Sequence, residues 1–419
     1  MNAAAAPAVA VPHSCLGCGA PLPAPFVDLG RTPLANSLID PAQAHLPEPA
    51  FRLAVVYCPG CHLVQLQDLI PPESLFSDYV YFSSYATSYL EHARGMARAF
   101  MDRFGLGTSS RVLEIASNDG YLLQYFLQEG VPVLGIEPAR NIAAVASGRG
   151  IPTLNRFFGP ELVAEVLAGF GRADVLIGNN VLAHVPDING FLGAARECLA
   201  PGGAAVFEFP YLRDLLDGTE FDTIYHEHVF YYSGLALSGL ARRAGLEFFD
   251  VEHQSVHGGS LRAFLGLPGA HPLGPAVARM LAEERAAGLD RPDRYASFSA
   301  AVARIKADLL ALLGELQAAG RRVAAYGAPA KGNTLLNYCG VGVDLVAFTV
   351  DRNPHKQDKL LPGSRIPVLD VPALLERMPD HVLILPWNIA PEIVRQEAEY
   401  AGRGGKFIVP IPRVRFYPS

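Results

Sequence analysis

The stretch that decides the fold is Arg111–Gly120, RVLEIASNDG, followed at once by the amphipathic run Tyr121–Leu127. Its apolar residues predict a buried strand that ends near Glu114, and the small and polar residues after it predict a loop at the edge of a sheet. A helix is expected beyond Gly120, so that its first free N–H groups face the loop. This order is typical of a nucleotide-binding crevice in an α/β sheet.

The second predicted strand, Val133–Glu137, ends in an acid 23 positions after Glu114, a spacing at which a carboxylate can hold the hydroxyls of a ribose. Neither G-x-G-x-x-G nor G-x-x-x-x-G-K-[ST] occurs, so the loop suits an adenosine-type ligand without a pyrophosphate. We expect S-adenosylmethionine (SAM), and the alternative is an α/β turn that binds nothing. The predicted SAM contacts are Glu114, Ala116, Asn118, Asp119, Gly120, Glu137, Pro138 and Asn179.

Size and charge limit the classes of protein to consider. A chain of 419 residues predicts two to four domains. A net charge of −7 gives no electrostatic footprint for nucleic acid or an anionic membrane, and no apolar run is long enough to span a bilayer. The Ala-rich start lacks the basic region of a secretion signal. We therefore expect a cytoplasmic monomer or small homo-oligomer that acts on a small molecule.

Four of the six cysteines form two C-x-x-C pairs, Cys15 with Cys18 and Cys58 with Cys61. Four thiolates match tetrahedral structural zinc, and they leave no open position for a substrate. The 39 residues between the pairs exceed the usual zinc-ribbon spacing, so this segment must loop out and return. Residues 1–75 are thus predicted to form a zinc-binding domain, with a redox pair or no metal as the alternatives.

Strands alternate with helical patterns over residues 76–268, which predicts a doubly wound parallel sheet. Pro201–Gly203 is expected to end the helix before the last parallel strand. An antiparallel pair is expected to close the sheet. The predicted strands are Val112–Ile115, Val133–Glu137, Asp174–Asn180, Ala204–Phe209, Leu246–Glu252 and Ser260–Leu265.

The segment Ser74–Tyr89, just before the first of these strands, is dense in tyrosines and hydroxyls. It suits a strip that covers the ligand crevice, with Tyr79 and Tyr81 as contacts to substrate, and it equally suits ordinary aromatic packing. A helix over Thr87–Phe104 is expected to lead into the opening strand.

The pattern of the central domain recurs in residues 269–419, after a long helical stretch that includes Ala300–Leu316. A strand enters the loop Gly327–Gly332, a helix follows, and the next strand ends in Asp351. We predict a second, diverged Rossmann-like unit, which an internal duplication would explain. Cations near its loop suit a phosphate, whereas the alternative is a solvated surface. The cations concerned are Lys331, Arg352 and Lys356, and Asn333 is a further residue expected to bind the substrate.

Four titratable side chains, Tyr225–His228, stand in a row inside the apolar segment Phe221–Phe230. If the chain is extended there, Tyr225 and Glu227 face one side and the two histidines the other. Histidine suits proton abstraction near neutral pH, and tyrosine can donate to an enolate oxygen. A metal site or a structural network is the alternative. His184, after the third strand, could reach the same crevice.

Taken in chain order, these features resemble the SAM-dependent sugar C-methyltransferases of deoxysugar biosynthesis, over nearly the whole chain. The resemblance implies an α/β protein with a small N-terminal zinc-binding domain, a central Rossmann-like class I methyltransferase domain and a C-terminal Rossmann-like nucleotide-sugar-binding domain. It rests on the two cysteine pairs, E-I-A-S-N-D-G from Glu114, Tyr-His-Glu-His from Tyr225, H-G-G-S-L-R from His257 and G-A-P-A-K-G-N from Gly327.

The resemblance also implies residue roles. His228 would be the base, Tyr225 and Glu227 its partners, and His184 a group near the keto oxygen. The substrate would be an NDP-linked 4-keto-deoxysugar, with dTDP as the expected nucleotide and C3 as the methylated carbon. Ala116 departs from the glycine usual in methyltransferase loops. The competing functions are C-methylation of another acceptor and ligand binding without turnover. The residues expected to bind substrate are Tyr79, Tyr81, His257, Arg262, Lys331, Asn333, Arg352 and Lys356.

Overall fold

A computed structural model describes residues 9–77, 83–85, 87–254 and 258–418. The predicted contacts of Tyr79, Tyr81 and His257 therefore lie outside the described residues. Among the described helices, none combines the length and apolar character that crossing a membrane would need.

The N-terminal part is an antiparallel sheet completed by a strand from the central part of the chain. Its strand order is β1-β2-β3-β9, and β9 is contributed from beyond residue 229. The second cysteine pair lies in the turn between β2 and β3, so the segment after the first pair does loop out and return, as the spacing predicts. The elements are β1 (Val27–Thr32), β2 (Phe51–Tyr57), β3 (Val64–Leu66), α1 (Pro72–Phe76) and β9 (Phe230–Tyr231).

The central sheet has seven strands in the order β6-β5-β4-β7-β8-β11-β10. The five strands β4 to β8 are parallel, and β11 and β10 close the sheet antiparallel, as predicted. The strands are β4 (Val112–Ile115), β5 (Val133–Ile136), β6 (Thr153–Leu154), β7 (Ala173–Asn179), β8 (Leu199–Pro210), β10 (Glu247–Gln254) and β11 (Ser260–Gly266).

Helices fill the connections of this sheet. The helix predicted over Thr87–Phe104 is confirmed with those bounds. The helices are α2 (Thr87–Phe104), α3 (Leu123–Gln128), α4 (Arg140–Gly148), α5 (Val163–Gly169), α6 (Ile188–Cys198), α7 (Leu212–Asp217) and α8 (Gly234–Arg243).

The start of β8 corrects one prediction. Pro201–Gly203 was expected to lie before the strand, but β8 already begins at Leu199, which pairs with Ala173. The register then jumps to Val175 with Ala204. The Pro-Gly-Gly residues therefore form a bulge inside the strand, because β7 pairs with β8 on both sides of it.

The C-terminal part repeats the topology of the central sheet. Its order is β14-β13-β12-β15-β16-β17, with β17 antiparallel. In both sheets the strand order reverses beside the first strand of the unit in chain order, between β4 and β7 in the central sheet and between β12 and β15 here. The elements are β12 (Val323–Tyr326), α11 (Ala330–Cys339), β13 (Thr349–Val350), β14 (Val368–Leu369), α12 (Ala373–Arg377), β15 (His381–Ile384), α13 (Ala390–Gln396), α14 (Ala398–Gly402), β16 (Lys406–Val409) and β17 (Arg415–Tyr417).

Two helices connect these units, α9 (Pro275–Ala286) and α10 (Pro292–Ala318). At the start of α10, the Tyr295 ring stacks on Tyr57 of the N-terminal sheet, with ring centroids 4.2 Å apart. Farther along, Lys306 Nζ donates to the carbonyl of Tyr338 in α11 over 2.6 Å. The long helix is therefore a strut between the N-terminal sheet and the C-terminal unit.

Candidate functional site

The four cysteines predicted to bind zinc come together. The sulfur atoms of Cys15 and Cys61 are 3.5 Å apart, those of Cys18 and Cys58 are 3.6 Å apart, and all four lie within 4.8 Å of one another. Zn–S bonds of about 2.3 Å in a tetrahedron place the sulfurs about 3.8 Å apart, so the donor set fits zinc. With four sulfurs around it, the metal has no open position and is structural.

The crevice loop after β4 has the backbone that such a loop requires. Ala116, Asn118 and Gly120 have φ angles of 54°, 50° and 79°, in the left-handed region that favours glycine. Ala116 therefore keeps the conformation of the usual glycine while adding a methyl group, at a cost of about 1–2 kcal/mol. A Cβ at Gly120 would lie 2.7 Å from a side-chain carbon of Ile151, so this position excludes larger residues.

Glu137, the acid at the end of β5, braces the same loop. Its carboxylate accepts from the backbone N–H of Asn118 at 2.9 Å and of Ala139 at 2.8 Å. Burial raises the pKa of Glu137, and these two N–H donors lower it. Each carboxylate oxygen keeps a second lone pair, which can accept from a ribose hydroxyl.

Two other predicted SAM contacts, Glu114 and Asn179, lie at the ends of β4 and β7. Glu114 has no exposed surface, and burial raises the pKa of its carboxyl group well above the usual value. Asn179, at the end of β7, donates to the Tyr121 hydroxyl at 3.0 Å. Glu114 is thus fully buried at the end of β4, whereas Asn179 is partly exposed and its side-chain N–H group is engaged by Tyr121.

Two described residues of the Ser74–Tyr89 segment, Ser83 and Ser84, contact the loop. The backbone N–H of Ser83 donates to the side chain of Asn118 at 2.9 Å, and the Ser84 hydroxyl contacts the carboxylate of Asp119. Arg149 binds the same carboxylate at 3.1 Å. Asn118 and Asp119 thus use their side chains to hold this segment, which favours the interpretation that it covers the crevice.

A cavity of about 480 Å³, lined by the residue that follows Glu137, was not predicted from the sequence. Pro138, Asn155 and Phe157 are among its lining residues. The Asn155 side chain donates to the carbonyls of Glu137 and Pro138, at 2.8 and 2.9 Å. The sequence signal that could have indicated this cavity is a polar residue, Asn155, directly after β6. An aromatic wall beside the acid predicted to hold the ribose suits the adenine ring of SAM.

The Tyr225–His228 row forms a turn, so the predicted alternation of its side chains is wrong. The backbone N–H of His228 donates to the Tyr225 carbonyl at 2.9 Å, and this turn brings the two side chains to the same side. The Tyr225 hydroxyl lies 2.7 Å from His228 Nε2. His228 Nδ1 lies 2.9 Å from the Thr223 carbonyl, which can only accept. Nδ1 therefore carries the proton, and in neutral His228 the lone pair is on Nε2.

His184 joins this pair. Its ring centroid is 5.1 Å from that of His228, and its Nδ1 donates to the Glu227 carbonyl at 2.6 Å. Burial lowers the pKa of His184, while backbone hydrogen bonds to Glu227 and Asn180 raise it. His226 instead packs edge-on against Phe51, and burial lowers its pKa to about 4.

The predicted substrate cation Lys331 lies in the first turn of α11. Its ammonium donates to the Asn388 side chain at 3.1 Å and stands 4.9 Å over the Trp387 ring. The Trp387 indole N–H donates to Asp222 at 2.7 Å, three residues before Tyr225. Burial raises the pKa of Asp222 to about 6 and that of Glu220 to about 8, and the charge of Lys331 opposes both shifts. This cation therefore lies beside the segment that leads into the turn.

The second loop is built like the first. Asp351 accepts from the backbone N–H of Ala328 at 2.7 Å and of Asn353 at 2.8 Å, the same two kinds of donor that Glu137 uses. Lys356 donates to the Ala328 carbonyl at 2.8 Å, and burial lowers its pKa. Arg352 is exposed nearby. The shared strand order and the shared bracing of the loop support an internal repeat.

Two other predicted substrate contacts have their donors engaged inside the protein. The Arg262 guanidinium binds Glu208 at 2.8 and 3.1 Å and Glu252 at 3.1 Å, across β8, β11 and β10. The Asn333 side-chain N–H group donates to the Ala35 carbonyl at 2.6 Å. In this arrangement Arg262 holds the sheet together, and Asn333 ties α11 to the N-terminal part.

Comparison with known families covers nearly the whole chain. Residues 15–76 match a zinc binding domain, residues 89–251 a methyltransferase domain and residues 255–412 a C-methyltransferase C-terminal domain.

Three individual proteins are similar to this chain over different lengths. The chain is 40% identical over 402 residues to the C-methyltransferase NovU of Streptomyces niveus, which covers 96% of each protein. A ubiquinone biosynthesis O-methyltransferase of Paramagnetospirillum magneticum is 32% identical over 119 residues, 26% of this chain and 46% of that protein. The SAM-bound magnesium protoporphyrin IX methyltransferase of Synechocystis gives a TM-score of 0.33 at 12% identity, over 43% of this chain and 79% of that one.

Proposed function

This chain belongs to the C-methyltransferase family, and we propose that its methyl acceptor is an NDP-linked 4-keto-deoxysugar, with dTDP as the nucleotide and C3 as the methylated carbon. The chain is thus a SAM-dependent enzyme with structural zinc, which excludes ligand binding without turnover. The observation that carries the acceptor is that Trp387 and Thr334 of the C-terminal unit donate to Asp222 and Ile224, in the segment that leads into the Tyr225–His228 turn. The cation Lys331 lies over the Trp387 ring. The proposal keeps the predicted domains, 1–75, 76–268 and 269–419.

The chemistry begins with the acidic C–H bond next to the ketone. The lone pair on His228 Nε2 takes this proton, and the electrons of the C–H bond form an enolate. The Thr223 carbonyl, which accepts from Nδ1–H, stabilises the imidazolium that results. The Tyr225 hydroxyl leaves Nε2 and donates to the enolate oxygen. Bound SAM would supply the electrophilic methyl group: a C–C bond forms to the enolate carbon as the S–C bond breaks, and S-adenosylhomocysteine leaves.

His184 supports this arrangement in a different way from the one that the resemblance implies. Its Nδ1–H is used by the Glu227 carbonyl, and its pKa is lowered by burial. A neutral ring in this tautomer has no second N–H to offer a keto oxygen. His184 instead holds the backbone next to His228.

Lys331→Ala tests the acceptor class. We expect the affinity for the nucleotide sugar to fall about 10- to 100-fold, because a charge-assisted hydrogen bond contributes about 1.5–3 kcal/mol. The affinity for SAM should stay the same, since the SAM loop lies in the other sheet. Calorimetric titration with each ligand measures both constants.

Lys406→Ala is the matched control, because Lys406 is exposed at the opposite, amino end of the C-terminal sheet. An unchanged affinity for the nucleotide sugar in Lys331→Ala would contradict the proposal. It would favour an acceptor without phosphate, for which the acids Glu220 and Asp222 beside Lys331 are the supporting observation.

A further inference from the structure

A loop of the N-terminal part reaches into the site. The bridging loop, residues 33–39, begins directly after β1 and is fixed at its far end by paired backbone hydrogen bonds between Ile39 and Leu360, at 2.9 and 2.8 Å. In its middle, the Ala35 carbonyl accepts from Asn333 of α11. The bridging loop is thus held by the N-terminal sheet and by the C-terminal unit at once.

Asn36, in this loop, contacts the Tyr225–His228 turn directly. Its side-chain N–H group donates to Glu227 Oε1 at 2.7 Å, across 191 positions of sequence. Glu227 is only 5% exposed, so its carboxylate has little access to water. The Glu227 carbonyl meanwhile accepts from His184, and the next residue is His228. The orientation of Glu227 therefore bears on both histidines.

Charged and titratable groups from three elements face Glu227. Lys356 of the C-terminal unit lies close enough for the two charges to attract. His184 approaches from the segment after β7, and Tyr225 and His228 belong to the turn itself. Asn36 differs from all of these because its amide is neutral at every pH. It can hold the carboxylate in place without changing the charge of the site.

We propose that Asn36 is a positioning residue: its amide holds the Glu227 carboxylate, and this contact fixes the backbone that carries His228 and anchors His184. The N-terminal part would thereby complete the reaction site, in addition to carrying zinc. The inference rests on the proposed function, because it assigns the Tyr225–His228 turn to proton abstraction.

Asn36→Asp is the direct test, since it replaces the amide with a carboxylate of the same shape. Two carboxylates in contact raise the pKa of one of them. Protonation of Glu227 would then occur closer to neutral pH. At higher pH both carboxylates ionise and neither can donate the hydrogen bond that Asn36 supplies, so recovery of activity should be incomplete. We expect deuterium exchange at the substrate carbon to fall at least about 10-fold at neutral pH, and the acidic limb of its pH profile to move up by about one unit or more.

Ser37→Asp is the matched control, because it adds the same charge at the neighbouring exposed position. It should leave the pH profile unchanged. Zinc content and SAM affinity of Asn36→Asp should equal those of the wild type. A loss of SAM binding would overturn the proposal, since Asn36 would then support the fold as a whole.

A double variant shows whether Asn36 acts through Glu227. In Glu227→Gln, the further change Asn36→Asp restores an amide–carboxylate hydrogen bond with the partners exchanged, so we expect no further loss of exchange. Independent, multiplying losses would contradict the proposal.

The proposed function and the role of Asn36 can be refuted separately. A wild type that neither exchanges nor methylates any keto sugar would refute the proposed function. An active wild type whose pH profile survives Asn36→Asp would refute the role of Asn36 alone.

Discussion

His228→Ala is expected to lower the rate of methyl transfer by about 10²- to 10⁴-fold, the usual contribution of a general base. The structure gives the reason, because the lone pair of neutral His228 lies on Nε2, where it meets the Tyr225 hydroxyl, and Nδ1 is held by the Thr223 carbonyl. The affinity for SAM should be unaffected. Single-turnover kinetics and calorimetry measure the two quantities separately.

The control for this variant is His45→Ala, which removes an exposed histidine of the N-terminal part. It should keep the wild-type rate. An unchanged rate of methyl transfer in His228→Ala would remove His228 from the mechanism and leave Tyr225 to be tested as the base.

Cys58→Ala is expected to abolish stoichiometric zinc binding and to unfold the N-terminal sheet. Zinc binding by four thiolates contributes about 10–16 kcal/mol in small zinc-finger peptides, and here the second cysteine pair forms the turn that joins β2 to β3. Cys58 is fully buried between β2 and β3. Metal analysis and thermal unfolding, each with and without a chelator, measure the loss.

Cys198→Ala provides the comparison, because Cys198 is equally buried but lies in α6, away from the four-cysteine cluster. It should keep about one zinc ion per chain. Full zinc occupancy in Cys58→Ala would show that the four-thiolate site is not the metal site.

The parts of the fold that could be predicted are those that local patterns determine. The strand at Val112–Ile115 and the helix at Thr87–Phe104 appear with the predicted bounds, because hydrophobic periodicity follows burial directly. The start of β8 could not be predicted in this way. The pairing with β7 overrides the turn preference of Pro201–Gly203, and such pairing is a property of the whole sheet.

The candidate site, too, could be predicted only in part. The chemical types in Tyr225–His228 were visible, but their geometry was not, since an extended chain and a turn place the same residues on different sides. Asn36 contacts Glu227 and Trp387 contacts Asp222, at separations of 191 and 165 positions in the sequence. No pattern within a short window of sequence reveals such partners.

The most direct test of the account is mass spectrometry of the purified enzyme with SAM and a dTDP-4-keto-6-deoxyhexose in deuterated water. We expect a product heavier by one methyl group, together with deuterium exchange at the carbon next to the ketone, because the enolate must form before the methyl group is transferred. Neither methylation nor exchange, across several nucleotide-linked keto sugars and with SAM shown to bind, would contradict the account and point to a different acceptor.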